Sequence, residues 1–318
     1  MSRKSFRPVK PFLTYQELLV KLSDDKNLII PDLESAKSIL TDISYYALMN
    51  GYKSLYYDRI TRQYVTGTSF NDILALYYFD ERLRSLVFKY ICHIEQKMRS
   101  LISYHFSEAY SHLQTDYLNP ANYDITPKNR SEIAKLTYML SKEANINTDH
   151  PYVVYQRATY GDVPLWVVLN TLTFGQISKM YSLLTASLKA KISLHFHAVS
   201  EKELAQYLKA LTHFRNVCAH NERLFSFRCR IDIPDTRLHG KLSIPRKGTQ
   251  YLQGKSDLFA VVIALRYLLS QKDFSTFRQE LSRLISTLLK QSPMLPEERL
   301  LTAMGFPGGW KSLTRYRL

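Results

Sequence analysis

Residues 69–110 read SFNDILALYYFDERLRSLVFKYICHIEQKMRSLISYHFSEAY and contain the longest periodic pattern of the chain. Apolar side chains recur every three or four positions along this stretch, from Ile73 through Leu83 and Ile94 to Ile102. That period matches the 3.6 residues of an α-helical turn and not the alternation of a strand. The stretch therefore predicts one very long helix, or two helices separated by a break.

The rest of the chain favours the same fold class. Thr14 and Ser200 are each followed three residues later by a glutamate, which is the capping-box pattern of a helix start. Glycine (10) and proline (12) are scarce for 318 residues, as expected for helices with short connectors. Two segments, near 52–68 and 226–250, lack helical periodicity, and we expect small hairpins or extended loops there. The sequence thus predicts an all-α, mostly helical protein.

Composition changes along the chain suggest three regions. We expect an N-terminal helical region with a small hairpin at residues 1–68, a helical body at 69–300 and a basic tail at 301–318. The tail is rich in glycine and in basic residues. The N-terminal segment MSRKSFRPVKPF is basic but lacks an apolar stretch, so it does not resemble a signal peptide.

The balance of charges favours an anionic partner. Lys and Arg total 43 against 28 Asp and Glu, a net charge of +15, which suits nucleic acid or an anionic membrane surface. The apolar run at residues 258–265 is far shorter than the ~20 residues that a membrane span needs. Three cysteines without C-x-x-C spacing favour a reduced, cytoplasmic protein without a zinc site. We therefore expect RNA as partner, no membrane, and neither metal nor other cofactor.

The strongest chemical signal is LTHFRNVCAHNERLFSF at residues 211–227. Arg215, Asn216 and His220 supply a guanidinium, a carboxamide and an imidazole, the groups needed to cleave an RNA phosphodiester without a metal. Arg215 falls on the apolar stripe of its helix, where a charge needs a carboxylate partner or a cleft. On an ideal helix Arg215 and His220 lie roughly 140° apart. They can converge if the arginine wraps around, if the helix ends near His220, or if a second helix joins in a dimer.

Arg99 and His105 repeat a similar spacing on the long helix and form a second candidate pair, whose alternative role is structural. Between residues 223 and 247 the chain carries seven basic residues against two aspartates. We expect the seven to contact RNA phosphates without reading sequence, although a solvated loop would look the same. They are Arg223, Arg228, Arg230, Arg237, Lys241, Arg246 and Lys247.

The motif RNVCAHNERL resembles the R-N-x-x-A-H motif of the HEPN-superfamily RNases. A longer series of blocks between about residues 10 and 230 resembles the Abi-like abortive-infection proteins of bacteria, of the AbiD and AbiF type. These blocks include ISYYALMNGY at 43–52, IEQKMRSLISYHFSEAY at 94–110 and PLWVVLNTLTFGQISKMY at 164–181.

The resemblance implies a helical HEPN core and a homodimer that joins two Arg/His motifs. It also implies metal-independent endoribonuclease activity in antiviral defence, with the toxic enzyme controlled by a bound small non-coding RNA, as in a toxin–antitoxin pair. Arg215, Asn216 and His220 would be catalytic, with attack by the ribose 2′-OH leaving a 2′,3′-cyclic phosphate. The alternative is a non-catalytic RNA-binding protein that holds a structured RNA, in which the Arg/His cluster only shapes the fold.

Overall fold

The computed structural model describes residues 11–316. The basic N-terminal segment through Lys10 and the last two residues of the basic tail lie outside the described residues. The helices of the described part are α1 (Tyr15–Asp24), α2 (Leu33–Asp42), α3 (Phe70–Ala109), α4 (Gln114–Tyr117), α5 (Arg130–Asn145), α6 (Pro151–Tyr160), α7 (Leu165–Val168), α8 (Phe174–Leu183), α9 (Ala186–Ser193), α10 (Glu201–Ala219), α11 (Arg237–Lys241), α12 (Leu258–Leu268), α13 (Gln271–Gln291) and α14 (Glu297–Met304). The mostly α-helical fold class predicted from the sequence is confirmed.

The long periodic stretch forms one uninterrupted helix, α3, of 40 residues. Its start is fixed by Ser69 and Asp72: the Ser69 amide donates to Asp72 Oδ2 at 2.8 Å, and the Asp72 amide donates to Ser69 Oγ at 3.3 Å. The predicted apolar stripe is buried, with Ile73, Leu83 and Ile102 fully inaccessible. At 1.5 Å per residue, α3 extends about 60 Å.

Both segments without helical period contain a small antiparallel hairpin. β1 (Tyr57–Asp58) pairs with β2 (Gln63–Tyr64), and β3 (Arg246–Lys247) pairs with β4 (Gln250–Tyr251). The second segment also contains the five-residue helix α11, which the sequence did not predict. A π-helical turn, Tyr46–Asn50, precedes the first hairpin.

The residues group into two compact units. Among the described residues, one unit comprises 11–82 together with 283–300, and the other comprises 83–282 together with 301–316. In the first unit, the buried Ser292 hydroxyl donates to Asp72 Oδ1 at 2.6 Å and lies 2.8 Å from the Tyr56 hydroxyl, so the returning segment is hydrogen bonded to the N-terminal part. The regions predicted with boundaries at 68 and 300 stay a prediction.

The second unit is centred on α10 and α12. Ten of the eleven residues of α12 are buried, and α10 contacts α8, α9 and α12. The continuous apolar run at 258–265 is therefore a core helix. Within the described part of the chain, no helix has the length and apolar character that crossing a membrane requires.

Candidate functional site

The C-terminal end of α10 fixes the position of His220. The helix starts at a full capping box formed by Ser200 and Glu203, as predicted. At its end, the Glu222 amide donates to the Val217 carbonyl at 3.0 Å and the Asn221 amide to the Cys218 carbonyl at 3.4 Å. Asn221 has a left-handed backbone with φ 54°. This pair of hydrogen bonds is a Schellman motif, in which asparagine is one of the few residues that tolerate the left-handed position. His220 is consequently the C-cap of the helix, directly after its last residue Ala219, and it is exposed.

Arg215 lies one and a half turns earlier and points from α10 towards α3. Its guanidinium is 5.3 Å from the centre of the Phe88 ring, and its Nε is 3.9 Å from Glu95 Oε2. The Arg215 side chain is 27% exposed, whereas the Glu95 side chain is 6% exposed. An arginine on an apolar stripe needs a carboxylate partner or a cleft. Arg215 has the carboxylate of the buried Glu95.

Glu95 also binds Arg99, one helical turn further along α3. Arg99 Nη2 donates to Glu95 Oε1 at 2.5 Å and to the carbonyl of Leu172 at 2.6 Å. Glu95, Arg99 and Arg215 are named the Glu95 cluster from here on. Two guanidinium groups share one carboxylate, so the cluster keeps an excess positive charge that favours an anion such as phosphate.

The face of α3 that carries Glu95 also supports the end of α10. Arg84 is buried, and its Nη1 donates to the Glu222 carbonyl at 3.5 Å, immediately after the Schellman motif. Arg84, Phe88 and Glu95 recur at intervals of four and seven residues, so they share one side of α3. One face of the long helix therefore contacts both Arg215 and the turn that follows His220.

The contact between Arg215 and Glu95 is not a hydrogen bond. Among the described residues, neither the buried Nε of Arg215 nor Oε2 of Glu95 makes one. The separation of 3.9 Å allows Coulomb attraction but exceeds hydrogen-bond length. Arg215 is therefore attracted to the carboxylate without being locked onto it. The charges of the cluster also act on the thiol of Cys92. Burial and the negative charge of Glu95 raise the pKa of this thiol, while the positive charges of Arg215 and Arg99 lower it.

The structure separates the second candidate pair. Arg99 joins Arg215 at Glu95, but His105 contacts a different set of groups. His105 Nε2 lies 2.9 Å from His195 Nε2, and its Nδ1 lies 3.3 Å from Glu108 Oε2. Arg99 thus belongs to the cluster that contains Arg215, whereas His105 takes part in a histidine–carboxylate contact elsewhere on α3. Asn216 is exposed on α10.

The seven basic residues expected to bind RNA are all exposed. Some of them have protein partners: Arg228 donates to the Ala303 carbonyl at 3.0 Å, and the Arg246 guanidinium lies 4.0 Å from the centre of the Tyr251 ring. Their exposure leaves the charges available to a polyanion, and their role in RNA binding stays a prediction. In the described part of the chain, no group of three or more His, Cys, Asp or Glu side chains could hold a metal ion.

A groove runs beside Arg99. A cavity of about 220 Å³ is lined by Arg99, Ser100, Ser103 and Trp166, and a second of about 480 Å³ shares the two serines and the tryptophan. Trp166 is 48% exposed. An exposed indole beside an arginine offers a stacking surface to a nucleobase.

The sequence did not identify Glu95 or Trp166 as site residues. Glu95 carries one local signal, an acid four positions before Arg99 on a helix, which is a common surface pair. Its position between the core residues Ile94 and Met98 distinguishes it, because a carboxylate on an apolar stripe needs a buried cationic partner. Trp166 has no comparable signal in the sequence.

Fold and site together define an α-helical protein in which an arginine- and histidine-bearing helix end meets a buried carboxylate on a long helix. A family model for Abi-like proteins matches residues 38–226, more than half of the chain, and the protein belongs to that family. The match ends six residues after His220 and includes the whole Glu95 cluster. Neither the curated proteins nor the solved structures contain a match.

Proposed function

We propose that this Abi-like protein is a metal-independent endoribonuclease of the HEPN type that acts in abortive infection, the defence of bacteria against phage. The observation that carries the proposal is the Glu95 cluster at the end of α10. It holds an arginine near a helix terminus that is capped by an exposed histidine. Membership of the Abi-like family supports the defence role and is compatible with a nuclease.

The proposed chemistry uses the ribose 2′-OH as nucleophile. The oxygen attacks the adjacent phosphorus, the P–O5′ bond breaks, and the products are a 2′,3′-cyclic phosphate and a 5′-OH. The 2′-OH loses its proton in this step and the departing 5′ oxygen gains one. His220 accepts the first proton as a base or donates the second as an acid, since an imidazole can do either near neutral pH. Arg215 stabilises the charge that develops on the non-bridging oxygens, and Asn216 hydrogen-bonds the phosphate or orients the imidazole. DNA lacks the 2′-OH and should not be cleaved.

Glu95 is a positioning residue in this proposal. Because Arg215 Nε lies 3.9 Å from Glu95 Oε2, the guanidinium is aimed by attraction and keeps its hydrogen-bond donors for a phosphate. Arg99 adds a second positive charge, and its hydrogen bond to Glu95 fixes the carboxylate. The negative charge of Glu95 therefore sets the direction of Arg215 without neutralising the cluster.

The exposure of His220 and Asn216 supports a composite cleft. Both side chains face solvent at a helix end, so the same helix end of a second copy could bring two Arg/His motifs onto one phosphate. We propose that the active form is such a homodimer in the cytoplasm. We further propose that a small non-coding RNA bound to the basic surface at residues 223–247 controls the enzyme.

The decisive experiment incubates purified protein with end-labelled RNA in excess EDTA. We expect wild-type protein to leave cyclic-phosphate ends, and His220→Ala and Arg215→Ala to reduce the cleavage rate at least about 10²-fold. The matched control is His213→Ala, which removes an exposed histidine from the same helix and should cleave normally. A single-stranded DNA of the same sequence should remain intact.

The result that would contradict the proposal is equal cleavage by wild type and His220→Ala. Absence of cleavage by protein stripped of co-purifying RNA, with specific RNA binding retained, would instead identify a non-catalytic RNA-binding protein. In that case Arg215 would serve only as the ionic partner of Glu95.

A further inference from the structure

A separate cavity of about 590 Å³ lies within the second compact unit. Its walls come from α3, from the segment after α9, from the junction of α12 and α13, and from the chain near residue 315. Its volume falls within the range of small-molecule sites, about 300–1,000 Å³. None of the residues of the Glu95 cluster lines it.

The walls of this cavity are strongly basic. Five side chains that carry or can carry positive charge line it, and its described lining contains no aspartate or glutamate. The five are Lys97, His195, His197, Arg266 and Arg315. A cavity with one sign of charge concentrates ions of the opposite sign, and its low-dielectric walls strengthen that attraction.

Two of these cations are partly removed from water and have no acidic partner among the described residues. Burial lowers the pKa of both Lys97 and Arg266. Lys97 donates to the His195 carbonyl at 3.1 Å and lies 4.0 Å from the centre of the Phe196 ring. Arg266 donates to the Tyr316 carbonyl at 3.4 Å, but its buried Nε makes no hydrogen bond among the described residues. Partly buried cations held only by carbonyls and rings are poorly compensated, and an anion would compensate them.

Two further features of the wall suit a phosphate attached to a planar group. Ser270 and Gln271 lie at the N-terminus of the 21-residue helix α13, whose positive dipole end favours anions, although the Asp273 amide there already donates to Ser270 Oγ at 3.1 Å. The Ser270 hydroxyl is already hydrogen bonded to Asp273 at 2.7 Å, so the amides and the basic side chains remain the main groups for recognition. Tyr316 lines the cavity and offers aromatic surface, whereas Tyr267, also in the lining, is buried with its ring stacked on Tyr207.

We propose that this cavity binds a small phosphate-bearing ligand of the size of a nucleoside phosphate. Arg266 and Arg315 would donate hydrogen bonds to the phosphate oxygens, and Lys97 would supply charge from the wall formed by α3. The site is distinct from the Glu95 cluster, and its existence does not depend on ribonuclease activity.

Isothermal titration calorimetry of the full chain with ATP, tripolyphosphate and adenosine tests this proposal. We expect ATP and tripolyphosphate to bind with one-to-one stoichiometry and adenosine not to bind. Arg315→Ala, which alters an exposed side chain, should weaken ATP binding about 3- to 10-fold, and Arg266→Gln should weaken it at least 10-fold, if each loses one charge-assisted contact. The control Lys142→Ala removes an exposed charge outside the cavity and should bind ATP like wild type.

Three results would overturn the proposal. The first is that neither ATP nor tripolyphosphate saturates the protein up to about 1 mM. The second is that adenosine binds with the same affinity as ATP. The third is that Arg315→Ala and Arg266→Gln leave ATP binding unchanged. Binding of a single-stranded RNA oligomer that both variants weaken, without binding of ATP or tripolyphosphate, would assign the cavity to RNA and reject a small ligand. Tighter binding of ATP than of tripolyphosphate would show in addition that the site recognises the nucleoside.

Discussion

Glu95 connects two arginines that are far apart in the sequence. Its carboxylate accepts a hydrogen bond from Arg99 at 2.5 Å and attracts Arg215 from a distance of 3.9 Å. With the carboxylate 6% exposed, its desolvation is offset, among the described residues, by these two cations. Removing the carboxylate should therefore affect both the stability of the fold and the direction of Arg215.

Glu95→Ala should lower the free energy of unfolding by about 1–3 kcal/mol, the range for a lost hydrogen bond to a charged group. Glu95→Gln keeps the shape and an acceptor oxygen for Arg99 and should lose less. Urea denaturation of both variants measures the difference. If Arg215 depends on the negative charge, Glu95→Gln should cleave RNA more slowly while staying nearly as stable as wild type. Wild-type cleavage by Glu95→Gln would rule out the positioning role.

The sequence singles out Arg215 and His220 as candidate site residues but not Glu95, the carboxylate that attracts Arg215. Arg215 stands out because it interrupts an apolar stripe, and the motif around His220 is local. Glu95 becomes significant only when α3 and α10 lie side by side, which is a long-range contact that local patterns do not encode. The same limit explains why Arg99 and His105 look like a pair in the sequence, although only Arg99 belongs to the Glu95 cluster.

At the scale of elements, the end of α10 decides where His220 lies. The Schellman motif requires a residue with positive φ immediately after His220, and Asn221 provides φ 54°. Glycine adopts this conformation freely, whereas a β-branched residue is strained there. The boundary of the helix, and with it the exposure of His220, therefore depends on Asn221.

Asn221→Val should destabilise the protein by about 1–2 kcal/mol, the cost of a left-handed conformation for a residue that lacks the short polar side chain by which asparagine tolerates it. Asn221→Gly should stay within about 0.5 kcal/mol of wild type. Thermal unfolding of the two variants compares them directly. Equal stability of the valine and glycine variants would mean that the turn after α10 does not need the left-handed conformation.

The N-terminus of α12 should make stability depend on pH. Asp257 caps this helix, with Oδ1 accepting from the Ala260 amide at 3.0 Å, and burial raises the pKa of its carboxyl from 3.8 to about 6. Between pH 3.8 and about pH 6, the folded state therefore binds more protons than the unfolded state. Protonated Asp257 therefore contributes on the order of 2–3 kcal/mol to the free energy of unfolding. This contribution is fully present below about pH 4 and is lost as the pH rises through 6.

The difference in free energy of unfolding between wild type and Asp257→Asn isolates this effect, because asparagine caps helices but does not titrate. The difference should change between about pH 4 and 6 and be constant above about pH 7. Asp232→Asn, which alters an exposed aspartate, serves as control. A pH-independent difference would show that Asp257 titrates normally in the folded protein.

Elements with strong local signals were predictable, and those without them were not. The capping boxes at Thr14 and Ser200 predicted α1 and α10, and both boxes are present. Helix α6 has a single buried residue, Val153, so its sequence lacks the apolar stripe that indicates a helix. Helix α7, whose N-cap is Pro164, is equally hard to predict because it ends after four residues in a 3₁₀ turn.

At the scale of the whole molecule, the net charge of +15 attracts any RNA before specific contacts form. Charge alone predicts non-specific attraction, which falls with salt as counterions rebind to the RNA. The exposed basic residues between 223 and 247 lead to a more specific prediction, that the phosphate contacts are concentrated on the surface that these residues form. Comparing two variants of equal charge distinguishes these cases.

The first variant replaces Arg230, Arg237 and Lys247 with alanine, and the second replaces Arg130, Lys142 and Arg283, which are equally exposed but lie elsewhere. Each loses two arginines and one lysine, so their net charges are identical. If each of the first three neutralises a phosphate, the slope of log K against log salt should become shallower by about 2, at ~0.7 per contact for a single strand. The second variant should keep the wild-type slope. Fluorescence anisotropy with a labelled RNA at several salt concentrations measures both slopes, and an equal change in the two variants would mean that the RNA responds to net charge and not to this surface.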